Sequence, residues 1–197
     1  MGSEMCIRDS PGPARGRRQR GADRGDAGRQ RPPLADPLSS ERRTLTAYRL
    51  AERVPFGVGR HAFSAAMRLA APYFVTIPAT VEAAGPGRAE VRMRHMPWIR
   101  NHLGTVHAIA LCNLAEMTMG LAAEASVPTT HRWIPKGMTV DYKAKARGTM
   151  HAVATLKLPE PLPAGGSGEE VPVTVSVSDD EGAEVFTAEI RIWVTAA

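Results

Sequence analysis

The stretch from about Gly104 to Ala125 constrains the fold more than any other part of the chain: it is rich in helix formers and has few polar residues on any side. Val106, Ala110, Leu114, Met117 and Leu121 fall on one stripe, and little on the remaining faces prefers water. A helix apolar nearly all round belongs in an interior. Other elements must therefore wrap it. Downstream, Trp133–Ala144, Thr149–Leu158, Val171–Ser178 and Ala183–Thr195 read as strands. Period-two alternation is clean in Met150/Ala152/Ala154/Leu156/Leu158, in Val171/Val173/Val175/Val177 and in Phe186/Ala188/Ile190/Ile192/Val194. Arg147-Gly148 and Asp179 to Gly182 are turns between neighbours, and the Pro- and Gly-rich run Pro159–Glu170 is a longer loop.

Upstream, Ala79–Ala84 and Arg88–His95 flank Gly85-Pro86-Gly87, and Ala89, Val91, Met93 and His95 alternate with charged residues, which predicts a β-hairpin. Before it, Leu45, Tyr48, Leu50, Val54, Phe56, Phe63, Met67 and Ala70 recur at helical spacing. Pro55-Phe56-Gly57 breaks them into one or two amphipathic helices that end before Pro72 and pack on the domain as an N-terminal addition. This order predicts an α+β domain, an antiparallel sheet wrapped around one long buried helix, over residues 44–197.

Residues 1–43 differ in kind. Pro11 to Asp36 has no large apolar residue except Leu34, so this Arg/Gly/Pro-rich segment is expected to be a disordered tail. Its first ten residues resemble read-through of a sequencing adapter, and the Arg/Gly run resembles GC-rich DNA read in a non-coding frame. That would put the native start near residue 40. The functional alternative is a basic tail that contacts nucleic acid or acidic lipid. The tail holds +4 of the formal charge of +5, leaving the domain near neutrality, so no nucleic-acid partner is expected for it. No run approaches the ~18 apolar residues of a membrane helix, and no apolar signal core opens the chain. With only Cys6 and Cys112 there is no disulfide framework, and a reducing cytoplasm is the natural location.

Chemistry concentrates in the central helix. Glu116, with Asn113 a turn before it, is expected inside apolar surroundings, where an unpaired carboxylate costs several kcal/mol. Either it pairs with Lys136 or Arg132 of the following strand, or burial keeps it as a strong general base. Met117 and Met119 read as core or acyl-pocket filler, and Cys112 as an inert small hydrophobe. His95, His102, His131 and His151 lack metal-ligand spacing, so neither a metal nor another cofactor is expected. Lys143, Lys145 and Arg147 form a basic cluster, either a solvated edge or a phosphate contact.

The run from Asn101 through Gly104 and His107 to Glu116 resembles the signature of the phenylacetate-pathway class of hotdog thioesterases. That signature has an Asn, five residues, a His usually followed by two glycines, and a helical acid nine positions after the His. The resemblance implies that Glu116 acts as general base or nucleophile, and that the N–H of Ala108 polarises the thioester carbonyl. Asn101 would position water or substrate, and His107 would brace the helix start. Closer still are the hotdog proteins called domain of unknown function 4442, mostly bacterial. The chain resembles them in Asn101 to Ala108, in Asn113-Leu114-Ala115-Glu116, and in Lys136 to Tyr142 leading to Lys145-Ala146-Arg147-Gly148. Gly104, Asn113 and Lys136, with Lys143, Lys145 and Arg147 for the phosphates of a coenzyme A carrier, are the expected substrate-side residues. Two departures matter: Ala108 and Ile109 replace the two glycines and narrow the approach, and a lysine near Glu116 would lower its basicity.

Ala108 and Glu116 lie eight residues apart, about 12 Å along a helix at ~1.5 Å per residue. They cannot serve one carbonyl from the same helix, so catalysis requires a homodimer, which could pair further into a tetramer. The implied activity is hydrolysis of an acyl-CoA or related thioester. The alternative is a non-catalytic acyl-ligand or acyl-CoA binding dimer with Glu116 held in an ion pair.

Overall fold

The computed structural model describes residues 38–197 except residue 165. The tail expected over residues 1–43 lies outside the described residues as far as residue 37. The central helix, α3, spans Ala108–Ser126 and buries Ala110, Leu111, Leu114, Ala115, Met117, Thr118, Met119, Leu121, Ala122 and Ala123. Thr118, fully buried, returns its hydroxyl proton to the Leu114 carbonyl at 2.7 Å, so it brings no unsatisfied donor into the core.

Six antiparallel strands wrap α3: β1 Ala79–Gly85, β2 Arg88–Met93, β3 His131–Tyr142, β4 Met150–Leu156, β5 Gly168–Ser178 and β6 Glu184–Ala196. Their spatial order is β1-β2-β4-β5-β6-β3. Alternate residues turn inward, so Met150, Ala152 and Ala154 of β4, Val171, Val173, Val175 and Val177 of β5, and Phe186, Ala188, Ile190, Ile192 and Val194 of β6 share one core with α3. This is the hotdog arrangement. The helix starts at Ala108 instead of near Gly104, because residues 101–105 are spent on a turn. Strand β5 begins at Gly168, shortening the expected loop; it pairs there with Thr195, beside the Trp193 ring.

Among the described residues two α-helices precede the sheet, α1 over Leu38–Glu52 and α2 over Val58–Ala70, separated by the 3-10 turn Pro55–Gly57. Tyr48 anchors α1: it is buried, stacks edge-on against Phe63 at 5.2 Å, and its hydroxyl lies 2.8 Å from the Glu82 carbonyl and 3.0 Å from the Glu52 carboxylate. Burial, with those acceptors beside it, holds the Tyr48 phenol well above its ordinary pKa. Helix α2 covers the free edge of β1, where the Val81 N–H donates to Ser64 Oγ at 2.9 Å. One sheet edge is thereby closed.

The other edge, β3, pairs with β6 alone among the described residues and carries Pro135, a bulge between Pro135 and Gly137, and exposed Lys136. Its side chains are half-buried or exposed throughout, Ile134 at 57% and Tyr142 at 50%. Proline and a bulge suit an edge. No helix among the described residues is long and apolar enough to cross a membrane.

Candidate active site

Asn101 builds the approach to α3. Its Oδ1 accepts the N–H groups of Leu103 (3.0 Å) and Thr105 (3.1 Å), its Nδ2 donates to Thr105 Oγ1 (2.8 Å), and its main chain bonds Thr105 and Gly104. Gly104 takes φ +74°, which favours glycine, to close the turn. The Asn101 carboxamide is thus largely committed to the backbone, leaving one N–H for a ligand. His107 is the N-cap: its Nδ1 accepts the Ile109 N–H at 3.1 Å, and its own N–H donates to Ile99 at 2.8 Å. With Nδ1 engaged in this bond, His107 braces the helix start. The N–H of Ala108, first in the helix, has no acceptor among the described residues.

A cavity of about 330 Å³ opens beside this helix start, lined by Asn101, Thr105, Ala108, Leu111, Tyr142 and Lys145 among others. Val106 N–H, donating to the Ala146 carbonyl at 2.9 Å, ties the turn to the 143–147 segment that forms the other wall. The basic cluster expected there is divided. Lys143 is bonded to Glu184, whose carboxyl is held below the usual carboxylate range by that lysine first and then by Ser176. Lys145 lines the cavity without a partner among the described residues. Arg147 lies near His95, whose pKa is lowered by burial first and by Arg100 and Arg147 after it.

Glu116 departs from expectation. In the single chain it is exposed, on the one line of α3 that the sheet leaves uncovered, with Ile109 (56% exposed) and half-buried Cys112 before it. An all-round apolar pattern predicts all-round burial, but one chain's sheet covers only part of the helix. Nor does Glu116 pair with Lys136, whose ammonium lies over the Trp193 ring at 5.0 Å. Neither Glu116 nor Lys136 has an ion-pair partner among the described residues. The carboxyl on α3 that does feel burial is Glu124, two turns on: desolvation raises its pKa, partly offset by the Trp133 indole.

Asn113, one turn before Glu116 on α3, lies buried against the 3-10 turn Pro72–Thr76. Its Nδ2 donates to Thr76 Oγ1 at 2.7 Å, while its Oδ1 is buried without a partner. That orphaned acceptor, one turn from Glu116, was not legible in the sequence, since nothing there placed Thr76 beside the helix. The Cys112 thiol and Tyr142 hydroxyl, 3.2 Å apart, were also missed; this hydrogen bond, more than burial, pushes Tyr142 up to about 12. Among the described residues no three His, Cys, Asp or Glu side chains form a metal-binding group.

A family model described as Domain of unknown function (DUF4442) matches residues 59–194. The chain belongs to the DUF4442 family. A structural-genomics crystal structure resembles this DUF4442 chain at 39% identity and TM-score 0.64, over 78% of this chain and 98% of that one. A Pseudomonas aeruginosa protein described as a probable thioesterase is similar at 20% identity and TM-score 0.56, over 73% of this chain and 97% of its own. A thioesterase from Haemophilus influenzae follows at 14% identity and TM-score 0.54, over 63% and 82%. At those identities the last two likenesses establish the hotdog fold of this DUF4442 protein. The curated protein sequences contain no match.

Proposed function

We propose that the protein hydrolyses acyl thioesters as a two-fold dimer. Glu116 of one chain and the Ala108 amide of the other would converge on the scissile carbonyl. The observation that carries the reading is the pairing of an acceptor-free N–H at the start of α3 with an unpaired carboxylate on the same uncovered helix face. Separated along one helix, the two groups meet only if a second copy lays its α3 against this face. Exposed Ile109 of α3 and Tyr142 of β3, the latter against Cys112, border that surface, and the β3 edge lies beside them.

In this reading Glu116 takes a proton from water, the oxygen attacks the thioester carbon, and the developing oxyanion is held by the Ala108 N–H. Collapse breaks the carbon–sulfur bond and releases the carboxylic acid and the thiol. A thiolate, with a parent pKa near ~8.5, leaves without a strong general acid. Lys145 adds positive potential to the cavity beside Ala108. His107 keeps the helix start in place, and Gly104 with Asn101 sets the turn that exposes the amide.

Glu116→Gln tests the reading. Thiol release from acyl-CoAs of graded chain length is expected to fall at least ~100-fold while folding and dimer mass are unchanged. Turnover equal to wild type would refute it. Ligand binding without thiol release by the wild type would favour a non-catalytic binder instead.

A further inference from the structure

The largest cavity described, about 520 Å³, lies away from the helix start, at the β1 edge. His61 and Arg68 of α2 form one wall, Arg92 of β2 and the adjoining Arg94 another, and Val75 and Trp98 complete it. Among the described residues no carboxylate lines it, and the nearest shown, Glu82, is paired with Arg92. Two of its guanidinium groups are already held by their Nε atoms: Arg68 Nε donates to the Ser64 carbonyl at 3.1 Å, and Arg92 Nε to Glu82 at 2.7 Å. That leaves their terminal N–H groups for an incoming acceptor, with little side-chain entropy left to lose. Arg94 and His61 have no partner among the described residues. Trp98 presents an indole at 63% exposure, an unusual surface position for tryptophan unless something stacks on it.

Clustered guanidinium groups beside an exposed indole are the chemistry that recognises a phosphorylated aromatic base. We propose that this cleft binds the nucleotide half of coenzyme A, with Trp98 against the adenine and Arg68, Arg92 and Arg94 on the phosphates. The identity of the ligand rests on the thioesterase reading above, which this assignment sharpens by making the carrier coenzyme A and not an acyl carrier protein.

Position supports it. Val75 and Ile77, on the cleft wall, flank Thr76, which bonds Asn113 one helical turn from Glu116. Trp98 belongs to the turn Pro97–Ile99, and Ile99 accepts the His107 N–H that fixes the start of α3. The cleft is therefore linked to both parts of the proposed site through the immediate neighbours of its wall residues, Thr76 and Ile99. The Lys143–Arg147 segment is the competing candidate for the phosphates, its Lys143 paired with Glu184 as Arg92 is with Glu82, and the Lys145→Gln arm of the test decides between them.

The test is calorimetric titration of the whole protein with adenosine 3′,5′-bisphosphate, coenzyme A, inorganic phosphate and anionic phospholipid vesicles. The wild type should bind the bisphosphate, with inorganic phosphate at least ~10-fold weaker, and Arg94→Gln and Trp98→Ala should each weaken the bisphosphate by about 10-fold or more. Circular dichroism shows that each variant is folded. Unchanged affinity in both variants would overturn the assignment. So would phosphate binding as tight as the nucleotide, binding to vesicles alone, or sensitivity to Lys145→Gln instead of Arg94→Gln. Because the readout is binding, it separates the two readings. Nucleotide binding through Arg94 in a protein that releases no thiol keeps the cleft and removes the hydrolase, and turnover without it does the reverse.

Discussion

Replacing Ser64 with alanine deletes one hydroxyl, yet it tests how the N-terminal helices are joined to the sheet. Ser64 Oγ is the acceptor for the Val81 N–H at 2.9 Å, and both residues are fully buried. Without the hydroxyl that N–H has no water to turn to, and an orphaned buried donor costs ~1–3 kcal/mol. The hydroxyl's own proton goes to the Arg60 carbonyl within α2, so its loss adds little, and alanine's better helix propensity returns about 0.5 kcal/mol. The expected net loss is roughly 1–2 kcal/mol, which for a domain of this size lowers Tm by about 2–8 °C. Urea unfolding and thermal scans measure the loss, and hydrogen exchange at Val81 localises it, since its protection should fall more than that of β5 amides. Because α2 carries His61 and Arg68, a loosened edge should also weaken nucleotide binding in the cleft. A Tm within 1 °C of wild type, together with unchanged Val81 exchange, would refute the docking of α2 on β1.

Four other perturbations probe different links. Gly59→Ala would place a Cβ 2.0 Å from the Ala51 carbonyl oxygen, so α1 and α2 must separate, and stability should fall by about 1–3 kcal/mol in urea melts; a neutral result would refute their close crossing. His95, held below its ordinary 6.5, binds its proton more readily when unfolded, so the stability it contributes is complete above about 6.5 and is lost as pH falls toward the lower folded value. Urea midpoints measured between about pH 5 and 7.5 should slope less in His95→Gln than in wild type, and identical slopes would remove His95 from the account. Ile134→Glu, on the exposed face of edge strand β3, should leave the single chain's melting within about 0.5 kcal/mol yet yield monomers by light scattering. A dimer of unchanged mass would place the interface elsewhere. Tyr48→Phe frees the Glu82 carbonyl and should cost roughly 1 kcal/mol, measured by the same melts.

The sheet was legible in the sequence because alternation survives translation into structure: Val171, Val173, Val175 and Val177 are inward in β5 as their spacing requires. Boundaries were less legible where tertiary contacts set them. Gly168 extends β5 only because β6 continues to Ala196 beside it. The bracing role of His107 was implied by the family resemblance and not by the local pattern, which starts the helix near Gly104; its Nδ1 caps the helix. The Thr76–Asn113 bond and the arginine cleft join residues far apart in sequence, and no local period encodes them.

Glu116 shows what periodicity leaves open. An apolar pattern states which side chains avoid water, not which chain supplies the cover. On α3 one cover is internal, the sheet over Leu114, Met117 and Leu121, and it leaves Ile109, Cys112 and Glu116 facing outward. Isoleucine beside an unpaired carboxylate makes a poor solvent face and a poor interior for a lone chain. It makes sense against a second helix whose first N–H groups face an acid, because a helix N-terminus stabilises negative charge. The edge strand argues in the same direction. Strand β1 is closed by Ser64, whereas β3 remains open next to the helix line that carries Glu116, so one pairing event would cover both. On this argument assembly and catalysis are one property, and a variant that separates the chains should lose turnover even with Glu116 intact.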